Sequence, residues 1–328
     1  MRRERISTAN AIQPVPLKGE STIIIKRTVT DYIIDIFIYA FMVILLFSIL
    51  FPFLNSLAIS FNNADDTIRG GIGLWPRVPT VASYQRILSD SKIWNAYFIT
   101  VSRTLVGTVA ALFCTSIIAF GLAHKKLIGR RFYSMLCIIP MYFGGGLIPY
   151  YLLIRSLNMM NTFWVFIIPN LIGLFNIILM RTFFQEIPEA LEESAQIDGA
   201  SYLTVFFRII VPISTPILAT IALFVGVFHW NSWFDAYIFV TKDELKPMQS
   251  ILLRIISEAA YAERLAAMAG GAGAAAAAAM GNIARGKQVN VRSITMATMF
   301  IIIIPVVIIY PFLQRFFIKG IMVGSIKG

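Results

Sequence analysis

The chain has 328 residues, of which 58% are hydrophobic and only 14% are charged, and that charged share is about half of what a soluble domain carries. Polar surface is too scarce to cover this much apolar side chain in water, which excludes an ordinary soluble fold and favours a protein that faces lipid. The net charge of +11 is accounted for by basic residues beside membrane segments, where they fix the topology and contact anionic membrane lipid, so nucleic acid is not expected as a partner.

Six apolar segments are long enough to cross a membrane. Each contains an apolar run of roughly 17–25 residues, which covers about 30 Å of hydrocarbon as a helix, and none alternates apolar and polar residues as a β-barrel strand does. The segments lie at residues 31–54, 95–122, 132–154, 162–180, 216–240 and 294–317. The sequence therefore predicts an all-α, polytopic membrane protein with one transmembrane domain at 31–322, between tails at 1–30 and 323–328.

The short connections between spans differ in their lysine and arginine content, which sets the orientation. The N-terminal tail carries six such residues and the connection after span two carries four, whereas the connection after span three has only Arg155. We therefore expect a cytoplasmic N-terminus, a cytoplasmic loop at 184–214 and external loops at 55–93 and 241–293. The second external loop contains an Ala/Gly tract at 266–281, which is either a spacer or a contact for a partner protein.

Span three contains residues that break helices. They are Pro140, the run Gly144–Gly146 and Pro149. Unwound backbone at membrane depth is tolerated only where protein or water satisfies its polar groups. The break either lines a path through the membrane, or forms a gate, or is a packing kink.

The cytoplasmic loop is predicted to form two short helices joined by a turn. Pro188 is expected as the first residue of the first helix, where its missing N–H has no intrahelical partner. Glu189, Glu192 and Glu193 follow in the first turns, where the helix dipole favours acids, and their spacing predicts one acidic stripe. Gly199 is expected to end this helix in a left-handed turn.

The second helix of this loop follows the turn, and Ser201 is expected to cap it. Its apolar side chains are Leu203, Val205, Phe206, Ile209 and Ile210. With Leu191 and Ala195 expected on the side opposite the acidic stripe, the loop presents an acidic face beside an apolar one outside the bilayer. We interpret it as a docking surface for a cytoplasmic partner, and the alternative is a solvated surface helix.

One pattern in this loop resembles a known family. The chain carries Glu193-Ser194-Ala195, then three residues, Gly199, nine residues, Ile209, one residue and Val211-Pro212. This pattern resembles the signature of permease subunits in binding-protein-dependent ABC importers, which has Glu-Ala-Ala, Gly, Ile and Leu-Pro at the same spacings. Ser194 for Ala and Val211 for Leu are mild changes of size. We call residues 184–214 the signature segment.

Further stretches resemble the carbohydrate-uptake branch of that family, which includes the second membrane subunit of the maltose importer and lipoprotein-associated oligosaccharide permeases. These stretches are 145–149, 176–184, 229–236 and 320–328. The resemblance implies a non-catalytic subunit of an ATP-driven importer in the bacterial cytoplasmic (inner) membrane. It implies an oligosaccharide or a polysaccharide-derived solute as the cargo, and a basic outer face would suit an acidic glycan.

The resemblance also implies partners and roles. The first helix of the signature segment docks into a groove on a separate ATPase subunit, where Glu193 pairs with a basic group and Gly199 supplies the bend. The expected docking residues are Glu189, Glu192, Glu193, Ser194, Ala195, Asp198 and Gly199. The expected partners are a second, different permease subunit, two ATPase subunits that bind ATP and Mg, and an external solute-binding protein; no cofactor is expected in this chain.

Catalytic motifs are missing from the sequence. It has no GxxxxGK[ST] phosphate-binding motif, so ATP hydrolysis falls to another subunit. His124 and His229 are its only histidines and lie far apart, so neither a metal site nor a Ser-His-Asp set is expected. Two alternatives stay open: a secondary transporter, which needs inverted repeats, and a membrane-embedded glycan-processing enzyme, for which the spans offer only Asp235 as a carboxylate.

Two features of spans two and five are candidates for the translocation path. Arg103 and Asp235 either form an ion pair or are separate, with Arg103 extended to the outer surface and Asp235 in water. In span five the residues with flat rings recur at three- and four-residue steps beside a polar edge. The rings are Trp230, Trp233, Phe234 and Tyr237, and the edge is Asn231 and Asp235. Such a face suits a sugar, and the alternative is an interfacial aromatic belt.

Overall fold

The computed structural model describes residues 29–268 and 290–325 of the chain. Within these ranges the regular structure is helical, and the only β-type pairing is a bridge between Asn62 and Pro79. Most of the predicted tails and most of the Ala/Gly tract at 266–281 lie outside the described residues.

Helix α1 (Val29–Ser60) contains the boundary between two compact units, which divide between Pro52 and Phe53. The helix is apolar on nearly every side, with a mean hydropathy of 2.7 in its most apolar stretch, and protein buries none of that stretch. A helix that is apolar all round is stable in a bilayer rather than in water. It is long enough to cross the hydrocarbon core, which agrees with the first predicted span.

The second unit is a series of helices separated by short turns. In chain order they are α2 (Ala64–Ile68), α3 (Ala82–Leu88), α4 (Ser91–Ala123), α5 (Arg130–Tyr142), α6 (Leu147–Ser156), two 3₁₀ turns (Phe163–Phe166 and Ile168–Asn170), α7 (Leu174–Gln185), α8 (Glu189–Ile197), α9 (Tyr202–Val205), a π turn (Phe206–Ile210), α10 (Val211–Ile213), α11 (Thr215–Asn231), α12 (Phe234–Phe239), a 3₁₀ turn (Asp243–Leu245), α13 (Met248–Met268) and α14 (Val291–Ser325).

The described helices supply up to six membrane spans. Helices α1, α4 and the Val291–Phe312 part of α14 are each continuous and apolar enough to cross a bilayer. Three bent pairs meet the same test together: α5 with α6 at 119°, Phe163–Asn170 with α7 at 47°, and Tyr202–Ile213 with α11 at 82°. The protein is therefore an all-α, polytopic membrane protein, in which three of the up to six spans are bent pairs rather than continuous helices.

The break in span three falls where the sequence places its helix breakers. Helix α5 ends at Tyr142, and α6 begins directly after Gly146, whose φ of +82° lies in the left-handed region. Glycine adopts this conformation without the steric penalty of a side chain. Pro140 stands inside α5, one turn before the break. The local sequence thus accounts for the position of this bend.

The prediction of the fifth span as one continuous helix at 216–240 is wrong. Helix α11 ends at Asn231, Ser232 has an extended backbone (φ −72°, ψ 126°), and α12 begins at Phe234. The apolar segment that meets the length test instead begins before α11, because α11 and Tyr202–Ile213 form a pair bent by 82°. Helical spacing therefore cannot place residues on both sides of Ser232 on one face.

Helix α4 lies at the centre of the second unit and packs against α7 and α11. Small side chains such as Gly107, Ala111 and Ala119 on α4 let the neighbouring helices approach closely, which is the usual means of helix association in lipid. Near the C-terminal end of α4, the ring of Phe120 lies 6.4 Å from that of Phe184 and 5.1 Å from that of Phe206. These rings join α4 to the start and to the second half of the signature segment.

The predicted external loops contain helices that the sequence prediction did not include. Helices α2 and α3 lie within 55–93, and α13 lies within 241–293. Buried isoleucines from α3, α13 and α14 pack in one cluster, and the amide N of Met248 donates a hydrogen bond to Oγ1 of Thr100 at 2.9 Å. These segments therefore fold against the N-terminal ends of α4 and α14.

Candidate functional site: the signature segment and a buried ion pair

The signature segment begins with helix α8. Pro188 is the N-cap, and the first helical residue is Glu189, one position later than the sequence predicted. The amide N of Leu191 donates to the carbonyl O of Pro188 at 3.1 Å, which closes the first turn. Glu189 and Glu192 lie in that turn, where the unpaired N–H groups of the helix favour negative charge.

Helix α8 ends in a glycine-dependent turn, as predicted. Gly199 has φ of +84°, and its amide N donates to the carbonyl O of Gln196 at 3.0 Å. The next amide, that of Ala200, donates to the carbonyl O of Ala195 at 2.9 Å. This pair of bonds is the Schellman motif, which satisfies the last carbonyls of a helix and turns the chain sharply.

The second half of the signature segment is held by a cap and by buried rings. The hydroxyl of Ser201 accepts a hydrogen bond from the amide N of Thr204 at 3.3 Å, so the predicted cap forms. Val205, Phe206 and Ile210 are buried in the core beside α4 and α7, whereas Leu203 is exposed. The segment is thus anchored by its second half, while α8 is the part that faces outward.

The acidic stripe predicted on α8 is divided by the packing of the helix. The carboxylate of Glu192 lies 2.8 Å from Nε2 of His124, and Ala195, one turn later, packs against the core. Glu193 is rotated away from that face and is exposed, as are Leu191 and Ile197. Leu191, one turn before Ala195, is exposed, whereas Ala195 packs inward, so these two apolar side chains are not buried together.

Glu189 is paired within the chain as well, although at the surface. Its carboxylate lies 2.8 Å from Nζ of Lys125, and both side chains are largely exposed. The hydrogen bond from Lys125, followed by the charge of that lysine, lowers the pKa of Glu189. The remaining members of the predicted docking set, Ser194 and Asp198, are exposed on the outer side of α8.

The connection between α4 and α5 forms the other wall of this site. A cavity of about 210 Å³ separates it from α8. Its polar lining includes Lys126, Arg130, Gln185 and Gln196. Nε of Arg130 donates to the carbonyl O of Leu122 at 3.1 Å, so this arginine satisfies a carbonyl at the C-terminal end of α4.

No family model matches the sequence. The chain is 34% identical over 294 residues to the polygalacturonan/rhamnogalacturonan transport system permease protein YtcP of Bacillus subtilis (strain 168), with 90% of this chain and 98% of that protein covered. It is also 34% identical over 279 residues to Protein LplC of the same strain, with 84% and 89% covered.

A solved structure gives the same result. The fold is similar, with a TM-score of 0.79 and 26% sequence identity, to the crystal structure of a bacterial ABC transporter involved in the import of the acidic polysaccharide alginate. The match covers 89% of this chain and 99% of that one. The chain belongs to the ABC sugar-transport permeases. The permease is thus one component of a transport system.

The membrane part of the permease contains the Arg103–Asp235 ion pair. The guanidinium contacts the carboxylate through both terminal nitrogens, and Nη1 also donates to the carbonyl O of Ser232 at 3.3 Å. Arg103 is fully buried, with its guanidinium carbon 4.3 Å from the ring centre of Phe166. Arg103 therefore does not extend to the surface, and it ties α4 to the start of α12.

Span five of the permease does not carry the predicted aromatic face. Trp230 is buried, and its Nε1 donates to the carbonyl O of Ile302 at 3.2 Å, which makes it a link to α14. Trp233 and Tyr237 lie after the helix break, with ring centres 6.1 Å apart, and both are exposed. Asn231 is exposed at the end of α11. Phe234 is exposed as well, with its ring centre 5.7 Å from that of Trp233, so three exposed rings remain without Trp230.

His229 was not predicted as a site residue, yet it is fully enclosed where α4 and α11 meet. A Cβ atom at Gly107 would lie 2.4 Å from its Nε2. A glycine in the middle of an apolar span was the available signal, because small residues mark close helix contacts.

Among the described residues, no group of three or more His, Cys, Asp or Glu side chains is arranged to hold a metal ion.

Proposed function

We propose that the permease is the membrane-spanning, non-catalytic subunit of an ATP-driven importer in the bacterial cytoplasmic (inner) membrane, with its N-terminus in the cytoplasm. The observation that carries the proposal is the outward-facing side of α8, which holds two acids and two apolar side chains beyond the packed helices. Exposed apolar side chains rimmed by polar ones mark a protein contact. Its residues are Leu191, Glu193, Ser194, Ile197 and Asp198.

The partner of this face is an ATPase subunit, of which the importer holds two. Those subunits bind ATP and Mg, and this chain contributes no reacting group. Glu193 pairs with a basic side chain of the ATPase, while Glu192 and Ala195 face the body of the permease and hold α8 in position. A second, different permease subunit completes the path, because six spans are too few to enclose one.

The cargo is an oligosaccharide with acidic groups, delivered by an external solute-binding protein. The relatives support this class, since one is named for polygalacturonan and the similar structure is involved in the import of alginate, an acidic polysaccharide. The loop at 241–293 has seven basic residues against four acidic ones, which favours a negatively charged solute at that face. Trp233 and Tyr237 are candidates for contact with the sugar rings.

The test is uptake into proteoliposomes that contain both permease subunits, both ATPases and the solute-binding protein. We expect uptake of labelled oligogalacturonate only with internal ATP, and little uptake of a neutral oligosaccharide of equal length. Glu193→Arg reverses the charge at the centre of the contact, so the ATPases should co-purify at least tenfold less. Glu244→Arg, the same change in the predicted external loop, is the control and should leave co-purification unchanged.

Two results would contradict the proposal. Uptake that needs an ion gradient and no ATPase would point to a secondary transporter. Full co-purification of the ATPases with the Glu193→Arg variant would remove α8 from the contact.

A further inference from the structure

His124 joins the C-terminal end of α4 to helix α8. It is the residue directly after α4, and its Nδ1 lies 2.8 Å from the carbonyl O of Phe120. On the other side of the ring, Nε2 lies 2.8 Å from the carboxylate of Glu192. The imidazole ring thus lies in direct contact with both α4 and α8.

The ring is also held from its sides. The ring centre of Phe120 lies 4.5 Å away and that of Tyr202 lies 5.6 Å away, both with their planes near perpendicular to the imidazole. His124 therefore contacts α4, α8 and α9 at once. A side chain fixed by three elements transmits a displacement better than a long flexible one, because it has few rotamers left to absorb the movement.

A second pair joins the same two parts of the chain and differs in exposure. Lys125 and Glu189 are also 2.8 Å apart, but their side chains are 75% and 63% exposed. The side chains of His124 and Glu192 are only 22% and 19% exposed. Exposed ion pairs contribute about 0–1 kcal/mol, since water and salt screen them. The His124–Glu192 contact is thus the less solvent-screened of the two, and the exposed pair is its natural control.

We propose that His124 is a positioning residue, which makes α8 move together with α4 when the ATPase subunits move. The inference rests on the proposed function. Helix α4 continues from this link to Arg103, about 30 Å away along the helix, and Arg103 holds Asp235. A movement of α8 is then passed through one rigid, packed helix to the ion pair at the other end. Without the link, α8 rocks on the body of the permease and the movement is lost.

The experiment measures how many ATP molecules are hydrolysed for each solute taken up by the complete complex in proteoliposomes. For His124→Gln we expect uptake to fall at least tenfold while ATPase activity stays within threefold, so the ratio rises. Glu192→Gln, which keeps the size of the side chain, should raise the ratio similarly. The double variant should be no worse than the worse single variant, because both changes break the same contact.

His124→Arg, which places several N–H donors beside Glu192, should restore at least a third of the wild-type uptake. Lys125→Met, which breaks the exposed pair, should leave the ratio within twofold of the wild type. Co-purification of the ATPases and a single peak in size-exclusion chromatography show that each variant complex is assembled.

An unchanged ratio in both assembled single variants, with an active wild type, overturns the role of His124 and leaves the proposed function intact. Loss of the ATPases from these variants also overturns it, because the residues would then serve docking rather than transmission. A wild-type complex without ATP-dependent uptake is a failure of the proposed function, and the inference fails with it.

Discussion

At the scale of single residues, the shape of the signature segment depends on Gly199. Its φ of +84° is a conformation in which a Cβ atom meets the adjoining carbonyl. No other atom within 4 Å obstructs a side chain there, so the constraint is conformational and not a matter of space. The effects of a substitution can therefore be assigned to the backbone.

Gly199→Ala should weaken the turn by about 1 kcal/mol, because alanine pays a steric penalty in the left-handed region. Asparagine tolerates this region better, so Gly199→Asn should lose less than half as much. Amide hydrogen exchange at Gly199 and Ala200, the donors of the two turn bonds, measures the effect directly. Equal protection in both variants would contradict a backbone origin.

At the scale of the elements, the sequence predicts what is encoded locally. The bend after α5 and the cap and turn of the signature segment follow from Gly146, Gly199 and Ser201, each of which acts within a few residues of itself. The partners of Glu189 and Glu192 could not be predicted in this way. They lie in the connection after α4, and only the packing of α4 against α7 brings that connection to α8.

The sequence did not predict the break in span five, nor did it predict helix α13, and the reasons are related. The break at Ser232 has no Pro or Gly to mark it, and an apolar run continues on both sides. Tertiary bonds hold it instead, since the carbonyl of Ser232 accepts from Arg103. Helix α13 is only half-buried, and it is followed by the Ala/Gly tract, whose composition favoured a loop.

The link between α4 and α12 makes a prediction at this scale. Asp235→Asn should destabilise the permease by about 3–5 kcal/mol, because it leaves the fully buried Arg103 without its counter-charge. Thermal unfolding in detergent measures the loss. The double variant Arg103→Leu/Asp235→Asn should be more stable than Asp235→Asn alone, since no buried charge remains.

Lys246→Ala is the matched control, because it removes an ion pair with Asp243 in which the carboxylate is 56% exposed. It should lower the free energy of unfolding by less than about 1 kcal/mol, so the unfolding temperature should change only slightly. A double Arg103/Asp235 variant that is less stable than both single variants would count against a mutual pair.

At the scale of the whole molecule, the second unit is organised around the contact of α4 with α11. Trp230 links α11 to α14 through Ile302, and the ring of His229 lies against α4 at Gly107. In lipid the hydrophobic effect does not hold helices together, so their association depends on such close packing. The permease should therefore be sensitive to volume added at this contact, far from the signature segment.

Gly107→Ala tests this view of the molecule. The new Cβ would lie 2.4 Å from Nε2 and 2.7 Å from two carbons of an imidazole ring that is itself enclosed, so α4 and α11 must separate. Overpacking of this kind costs about 1–3 kcal/mol, and the unfolding temperature in detergent should fall accordingly. Gly121→Ala, with no atom within 4 Å of its Cβ, is the control on the same helix and should have little effect.

The clash also predicts its own suppressor. His229→Ala removes the ring that the new methyl group meets, so Gly107→Ala/His229→Ala should be more stable than Gly107→Ala alone. If the two changes act independently, each loosens the interface by itself, and their losses in stability add. Additive losses in unfolding temperature would show that His229 is not what Gly107 accommodates, and the packing of α4 on α11 would need another explanation.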